Sequence, residues 1–148
     1  MLITVRDILK GKGNDLWVVS PTTPLIDALK LMAEKNIGTL LILESDSIAG
    51  IISERDFVRK IAKREQCQLD GPVSEMMTAD VITVSPKQGI EECMEIMTEK
   101  HIRHLPVVED DKPIGMISIG DVIKSIITSH EFTIDQMEKY IGGRGYGK

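Results

Sequence analysis

The chain has 148 residues, 42% of them hydrophobic and 28% charged, a balance that suits one compact domain or two closely packed small ones and excludes a disordered or fibrous protein. Its 18 basic and 23 acidic side chains leave a net charge of −5, so the overall field repels nucleic acid and anionic lipid, and an anionic ligand needs a local cluster of cations. Eight Met against two Phe, two Tyr and one Trp imply an aliphatic core.

From the N-terminus, MLITVRDILKGKG carries no apolar run of signal-peptide length, and no stretch of the chain approaches the roughly 20 apolar residues of a membrane span. A cytoplasmic protein is expected, with import into an organelle left open. Val5 to Leu9 is matched by Val73 to Thr78, a short helical turn upstream of the second half. Residues 17–58 then align with residues 82–123 at a constant offset of 65 without a gap, 14 of the 42 pairs being identical. Each copy opens on a short apolar strand, Trp17 to Val19 or Val81 to Val84, that stops at Ser-Pro because proline cannot donate to a strand ladder. Leu25, Ala28, Leu29, Met32 and Ala33 follow at helical spacing, as do Ile90, Cys93, Met94 and Met97. Next come two apolar runs separated by an acidic turn, Leu40 to Leu43 and Ile48 to Ile52, then Leu105 to Val108 and Ile114 to Ile119, which read as β-hairpins. A second helix carries Phe57, Val58, Ile61 and Ala62, or Val122, Ile123, Ile126 and Ile127. The repeat unit is therefore β-α-β-β-α, of α/β (α+β) class. A polar segment, Lys63 to Pro72, joins the copies; Phe132 to Tyr140 extends the helical pattern, and Gly142 to Gly147 is too rich in glycine to hold a fixed structure easily.

Cys67 and Cys93 form no CxxC pair, and His101, His104 and His130 lack a carboxylate motif, so neither a disulfide framework nor a metal site is indicated. Nor does the chain offer a nucleophile with its base, a metal triad or a GxxxxGK[ST] loop, which argues against an enzyme.

The two copies end in Gly50-Ile51-Ile52-Ser53-Glu54-Arg55-Asp56 and Gly115-Met116-Ile117-Ser118-Ile119-Gly120-Asp121. Two complete Gly-hydrophobic-hydrophobic-Ser-x-x-Asp motifs in duplicated β-α-β-β-α units resemble the CBS domain family, named after cystathionine β-synthase. The resemblance implies a pseudo-twofold pair of domains over residues 3–65 and 73–130, followed by a C-terminal helix and glycine-rich tail over 131–148. It further implies a non-catalytic regulatory module that binds an adenine nucleotide between the repeats. AMP is the foremost candidate, with NAD(H), ADP, ATP or S-adenosylmethionine as alternatives. A homodimer joined through the helices and an unidentified effector protein are also implied, with no nucleic acid and no membrane.

The motif chemistry stands beside the resemblance. A helix starting after Ser53 or Ser118 presents backbone N–H groups and the positive end of its dipole to a phosphate or sugar oxygen. Asp56 and Asp121 lie one turn in, where a carboxylate can accept two hydrogen bonds from a ribose diol, and the motif glycine leaves room for a flat base. The competing reading is a helix capping box, in which serine and aspartate satisfy each other's backbone donors without a ligand. Charge separates the two sites in this reading. The pseudo-twofold arrangement implied by the resemblance sets Arg55 opposite the Asp121 site, whereas its counterpart Gly120 offers the Asp56 site nothing. The expected cleft therefore gathers Ser118 and Asp121 on the ribose, Arg55, Arg103 or His104 on the phosphate, and Thr83, Val84 and Pro86 beside the base. Ser53 and Asp56 form the weaker second site. The alternative function is a structural or protein-interaction domain with degenerate sites.

Overall fold

The computed structural model describes residues 2–65 and 68–140, with side chains through residue 130; Cys67 and the Gly142 to Gly147 segment lie outside these residues. An N-terminal helix α1 (Val5–Lys12) precedes the first repeat, which comprises β1 (Val18–Val19), α2 (Leu25–Lys35), β2 (Thr39–Glu44), β3 (Ser47–Ser53) and α3 (Glu54–Arg64). A 3₁₀ turn at Val73–Glu75 leads into the second repeat, with α4 (Ile90–Lys100), β4 (His104–Glu109), β5 (Lys112–Ser118) and α5 (Ile119–Tyr140). Among the described residues no helix is long and apolar enough to cross a membrane.

Local chemistry accounts for the element ends. α2 buries Leu25, Ala28 and Met32, and α4 buries Ile90, Cys93 and Met97, each on one helical face. Both end on a residue in the left-handed region, Asn36 (φ 54°) and His101 (φ 55°), and the next residue's N–H returns to the carbonyl of Met32 or Met97. His101 is thus a helix C-cap. Both hairpins turn through two residues with positive φ, Ser45-Asp46 and Asp110-Asp111, matching the twist of the flanking strands. Each hairpin shifts register once, between Ile42 and Leu43 and between Val107 and Val108.

β1 pairs parallel with β2, which pairs antiparallel with β3. The second sheet holds β4 and β5 alone, because the expected strand over Val81 to Val84 contributes only one parallel bridge, Val84 to Val107. Its backbone is nonetheless spent there: Val84 N–H donates to Pro106 O and Val108 N–H to Val84 O, at 3.0 and 2.8 Å. Phe132 to Tyr140 continues α5 as one helix.

The leading segments cross between repeats. α1 inserts Val5, Ile8 and Leu9 into the core of the second repeat, beside Val84, Ile90, Cys93, Leu105 and Ile117. Val73 and Met76, which precede the second repeat, instead fill the core of the first, beside Leu25, Met32, Leu40 and Ile52. Equivalent backbone bonds hold both crossings: Arg6 N–H to Pro86 O and Ser74 N–H to Pro21 O, Val5 N–H to Gln88 O and Val73 N–H to Thr23 O. Thr78 then pairs with Ile51 through two bonds of 2.9 and 2.8 Å, adding an edge to the first sheet.

This crossing corrects the role expected for the motif glycines. Their open faces are covered by protein: a Cβ at Gly50 would run into Met77 and stand 2.9 Å from the Thr78 carbonyl, while one at Gly115 would stand 2.9 Å from the end of Leu9. Gly50 admits a rigid backbone and Gly115 a movable side chain. Gly50→Ala is therefore expected to cost about 1–3 kcal/mol, and Gly115→Ala less, in urea denaturation; equal losses would contradict the difference in packing.

Candidate ligand clefts

Two solvent-open clefts lie between the repeats, each built from a motif serine, the crossing segment that packs beside it, and the opposite hairpin. The first has a volume of about 200 Å³ and is lined by Ser53, Arg55 and Asp56, by Thr78 to Ile82 in part, and by Arg103 and His104. The second, about 350 Å³, is lined by Ser118 and Met116, by Lys12, Gly13 and Trp17, and by Gly38 and Thr39. The pseudo-twofold relation is visible in the linings: Thr39 and its counterpart His104 border both clefts, as does Gly38, whereas Arg103, the counterpart of Gly38, borders only the first.

The capping geometry forms at both motifs. Ser53 Oγ accepts from Asp56 N–H at 3.1 Å, and Ser118 Oγ accepts from Asp121 N–H at 3.2 Å. Glu54 N–H donates to Gly38 O and Ile119 N–H to Arg103 O, so most of each helix start is already engaged by protein. The carboxylates differ sharply. Asp121 Oδ2 accepts from Ser118 N–H at 2.8 Å and from Lys12 Nζ at 2.7 Å, completing a reciprocal capping box and an ion pair. Burial pushes the Asp121 carboxyl up, but Lys12 and the Ser118 bonds outweigh it and hold the group below the ordinary carboxylate range. Asp121 lines neither cleft. Asp56 lines the first, and among the described residues nothing bonds its carboxylate.

The cations are distributed otherwise than expected. Arg55, Arg103 and His104 gather in the first cleft, with Ser53 and Asp56, and only His104 also reaches the second. Among the described residues neither guanidinium is ion-paired. Arg55, two residues after the cap Ser53, lines the cleft of its own repeat's motif. Thr83, Val84 and Pro86 line neither cleft; Thr83 is exposed and Val84 and Pro86 are buried, and the preceding residues Val81 and Ile82 form that wall. Ile51 of the first motif also lines this cleft; Thr78 and Asp80, on the same wall, escaped sequence reading because their position depends on the crossing, and the match between Val73 to Thr78 and Val5 to Leu9 was the available signal.

Two further groups shape the first cleft. Thr39 Oγ1 and His104 Nδ1 lie 2.8 Å apart at the pseudo-twofold axis, joining the two sheets. Burial pushes the His104 imidazole below its ordinary value of 6.5; Lys12 and Arg103 add to this, while Asp121 and Glu54 pull against it. Lys60, on α3, donates to Met76 O at 2.8 Å and so ties the crossing segment to the motif helix. Burial lowers its ammonium pKa, Asp56 pulls it back up and Arg64 lowers it further.

Known proteins share this fold. The chain is 37% identical over 153 residues to "CBS domain-containing protein CBSX3, mitochondrial" of Arabidopsis thaliana, covering 97% of this chain and 73% of that one. A solved structure with CBS domains from Burkholderia ambifaria MC40-6 is 48% identical, with a TM-score of 0.79 over 84% of this chain and 94% of that chain. The CBS domain protein PAE2072 from Pyrobaculum aerophilum, solved in complex with AMP, shares the fold at 23% identity, with a TM-score of 0.72 over 85% of this chain and 99% of that chain. The family model of the CBS domain matches twice, over residues 5–63 and 73–128, and the chain belongs to the CBS domain family as a tandem pair.

Proposed function

We propose that this CBS pair is a non-catalytic regulatory module that binds an adenine nucleotide, AMP foremost, in the first cleft, and that an effector protein reads its occupancy. The observation that carries this reading is the Asp56 carboxylate, unbonded among the described residues, in a cleft that also holds Arg55, Arg103 and His104. Asp56 accepts the ribose diol, with Ser53 holding the turn beneath it. The arginines supply the local positive charge that a phosphate needs on a chain of net charge −5. Val81 and Ile82 form the wall against which a flat base can lie. The AMP held by the Pyrobaculum relative fits this chemistry. ADP, ATP, NAD(H) and S-adenosylmethionine share the adenosyl part and differ in the tail directed to the arginines. A purely structural role is the second reading, favoured by the Asp121 carboxylate, which the protein itself satisfies.

The module is further proposed to pair with a second copy through its motif helices. Val58 on α3 and Ile123 and Ile127 on α5 are large apolar side chains left 63%, 43% and 53% exposed, and Val58 and Ile123 occupy equivalent positions of the two repeats.

Three outcomes are expected. In thermal-shift and calorimetric titrations, AMP stabilises the protein. Asp56→Asn weakens adenosine and AMP alike by about tenfold, and Arg103→Ala weakens AMP while leaving adenosine nearly unchanged. Absence of any shift with millimolar AMP, ADP, ATP, NAD, NADH and S-adenosylmethionine would favour the structural role. Second, light scattering is expected to report a dimer that Val58→Glu or Ile123→Glu converts to monomer; a monomeric parent protein would refute the pairing.

The third concerns pH. Because folding depresses the His104 pKa, the unfolded chain takes up this proton first as pH falls. The contribution of neutral His104 is thus complete above about 6.5 and is lost as pH drops from there through the folded value. His104→Gln is expected to flatten the decline of Tm between about pH 7 and pH 5; an unchanged decline would place the pH sensitivity elsewhere.

A further inference from the structure

We infer that Lys12 is the residue that decides which cleft accepts a nucleoside: it occupies the Asp121 carboxylate as an internal competitor and limits the wild-type chain to one nucleotide, in the first cleft. This inference rests on the nucleotide-binding reading above.

The two motifs are alike in sequence, yet their aspartates are in opposite states. Lys12 Nζ donates to Asp121 Oδ2 at 2.7 Å and to Met116 O at 2.9 Å, spanning the end of β5 and the start of α5. Its bond to the carboxylate is charge-assisted, stronger than the neutral hydroxyl donors that a ribose would bring. With Lys12 in place, Asp121 is withdrawn from the lining of the larger cleft while Lys12 itself forms part of that lining. Size therefore does not set the preference; access to the carboxylate does.

Among the described residues the first cleft has no equivalent contact. By the relation that makes Val5 and Arg6 equivalent to Val73 and Ser74, Met77 is the counterpart of Leu9, each packing on its motif glycine, and Lys12 falls against Asp80, which has no cation to offer a carboxylate. Lys60 is the lysine near Asp56, and it donates away from that carboxylate, to Met76 O. The difference originates in the crossing segments. From the equivalent anchors at Arg6 and Ser74 to the equivalent wall residues Trp17 and Ile82, the N-terminal connection is longer by about one helical turn. That extra turn is the end of α1, which delivers Lys12. Gly13 follows at φ 95°, a conformation that favours glycine, and lets the chain turn from the helix toward Trp17 while Lys12 points back to α5.

The test is the stoichiometry of AMP binding by calorimetry, with adenosine as a second probe. Wild type is expected to bind one AMP per chain and Lys12→Met two, with Lys12→Gln behaving as Lys12→Met and Lys12→Arg, which keeps the cation, remaining at one. Asp56→Asn alone loses the wild-type site, with at least a tenfold fall in affinity, and Asp56→Asn combined with Lys12→Met binds one AMP at Asp121. Thermal melts of each variant without ligand check that it folds. Two AMP bound by wild type, or a second site weakened by Lys12→Met, would make Lys12 a ligand contact and overturn the inference. One AMP bound by both wild type and the folded Lys12→Met and Lys12→Gln variants would overturn it while leaving the function intact. Binding to Lys12→Met alone would uphold the competitor and refute the first cleft as the nucleotide site, and binding to none would overturn both.

Discussion

The exchange of leading segments between the repeats is the constraint on which the rest of the structure depends. Neither β-α-β-β-α unit completes its own core. The first needs Val73 and Met76 from the segment that follows it, and the second needs Val5, Ile8 and Leu9 from the segment that precedes its partner. Each crossing buries apolar side chains, which favours docking, and fixes them with backbone bonds to the Ser-Pro turn of the opposite repeat. The two halves are consequently held as one pair, and each cleft draws its walls from both.

The same constraint explains why two similar motifs produce dissimilar sites. A short 3₁₀ turn leads into one cleft and a two-turn helix into the other. The short route leaves Asp56 facing open space, whereas the long route sets a lysine on Asp121. Capping and ligand recognition, which compete as readings of Ser-x-x-Asp, thus divide between the two copies. At Ser118 the capping box closes on both sides. At Ser53 only the serine half forms, and among the described residues nothing bonds the Asp56 carboxylate.

Position in the fold also governs charge. Arg55, Arg103 and His104 belong to different repeats and meet because β4 enters the cleft of the first motif. Burial keeps His104 inclined to neutrality, and its contact with Thr39 couples the equivalent strands across the axis. The cationic charge in the first cleft therefore falls mainly on the two arginines, whose permanent charge does not depend on pH in the physiological range, and it shares the lining with the carboxylates of Glu54, Asp56 and Asp80.

The sequence by itself determined everything that rests on local physics. The duplication, the amphipathic faces of α2 and α4, the two hairpins with their acidic turns and the serine starts of α3 and α5 were all legible, because periodicity, proline, turn residues and caps act over a few residues. The family followed from the same repeated motif. What only the tertiary structure decided is which repeat completes which cleft: Arg55, Arg103 and His104 belong with Asp56, Thr83, Val84 and Pro86 stand back from both clefts, and Lys12 closes on Asp121. These outcomes depend on contacts between residues some fifty to a hundred positions apart, set by which core a leading segment fills, and the match between the leading segments does not say which core each one enters.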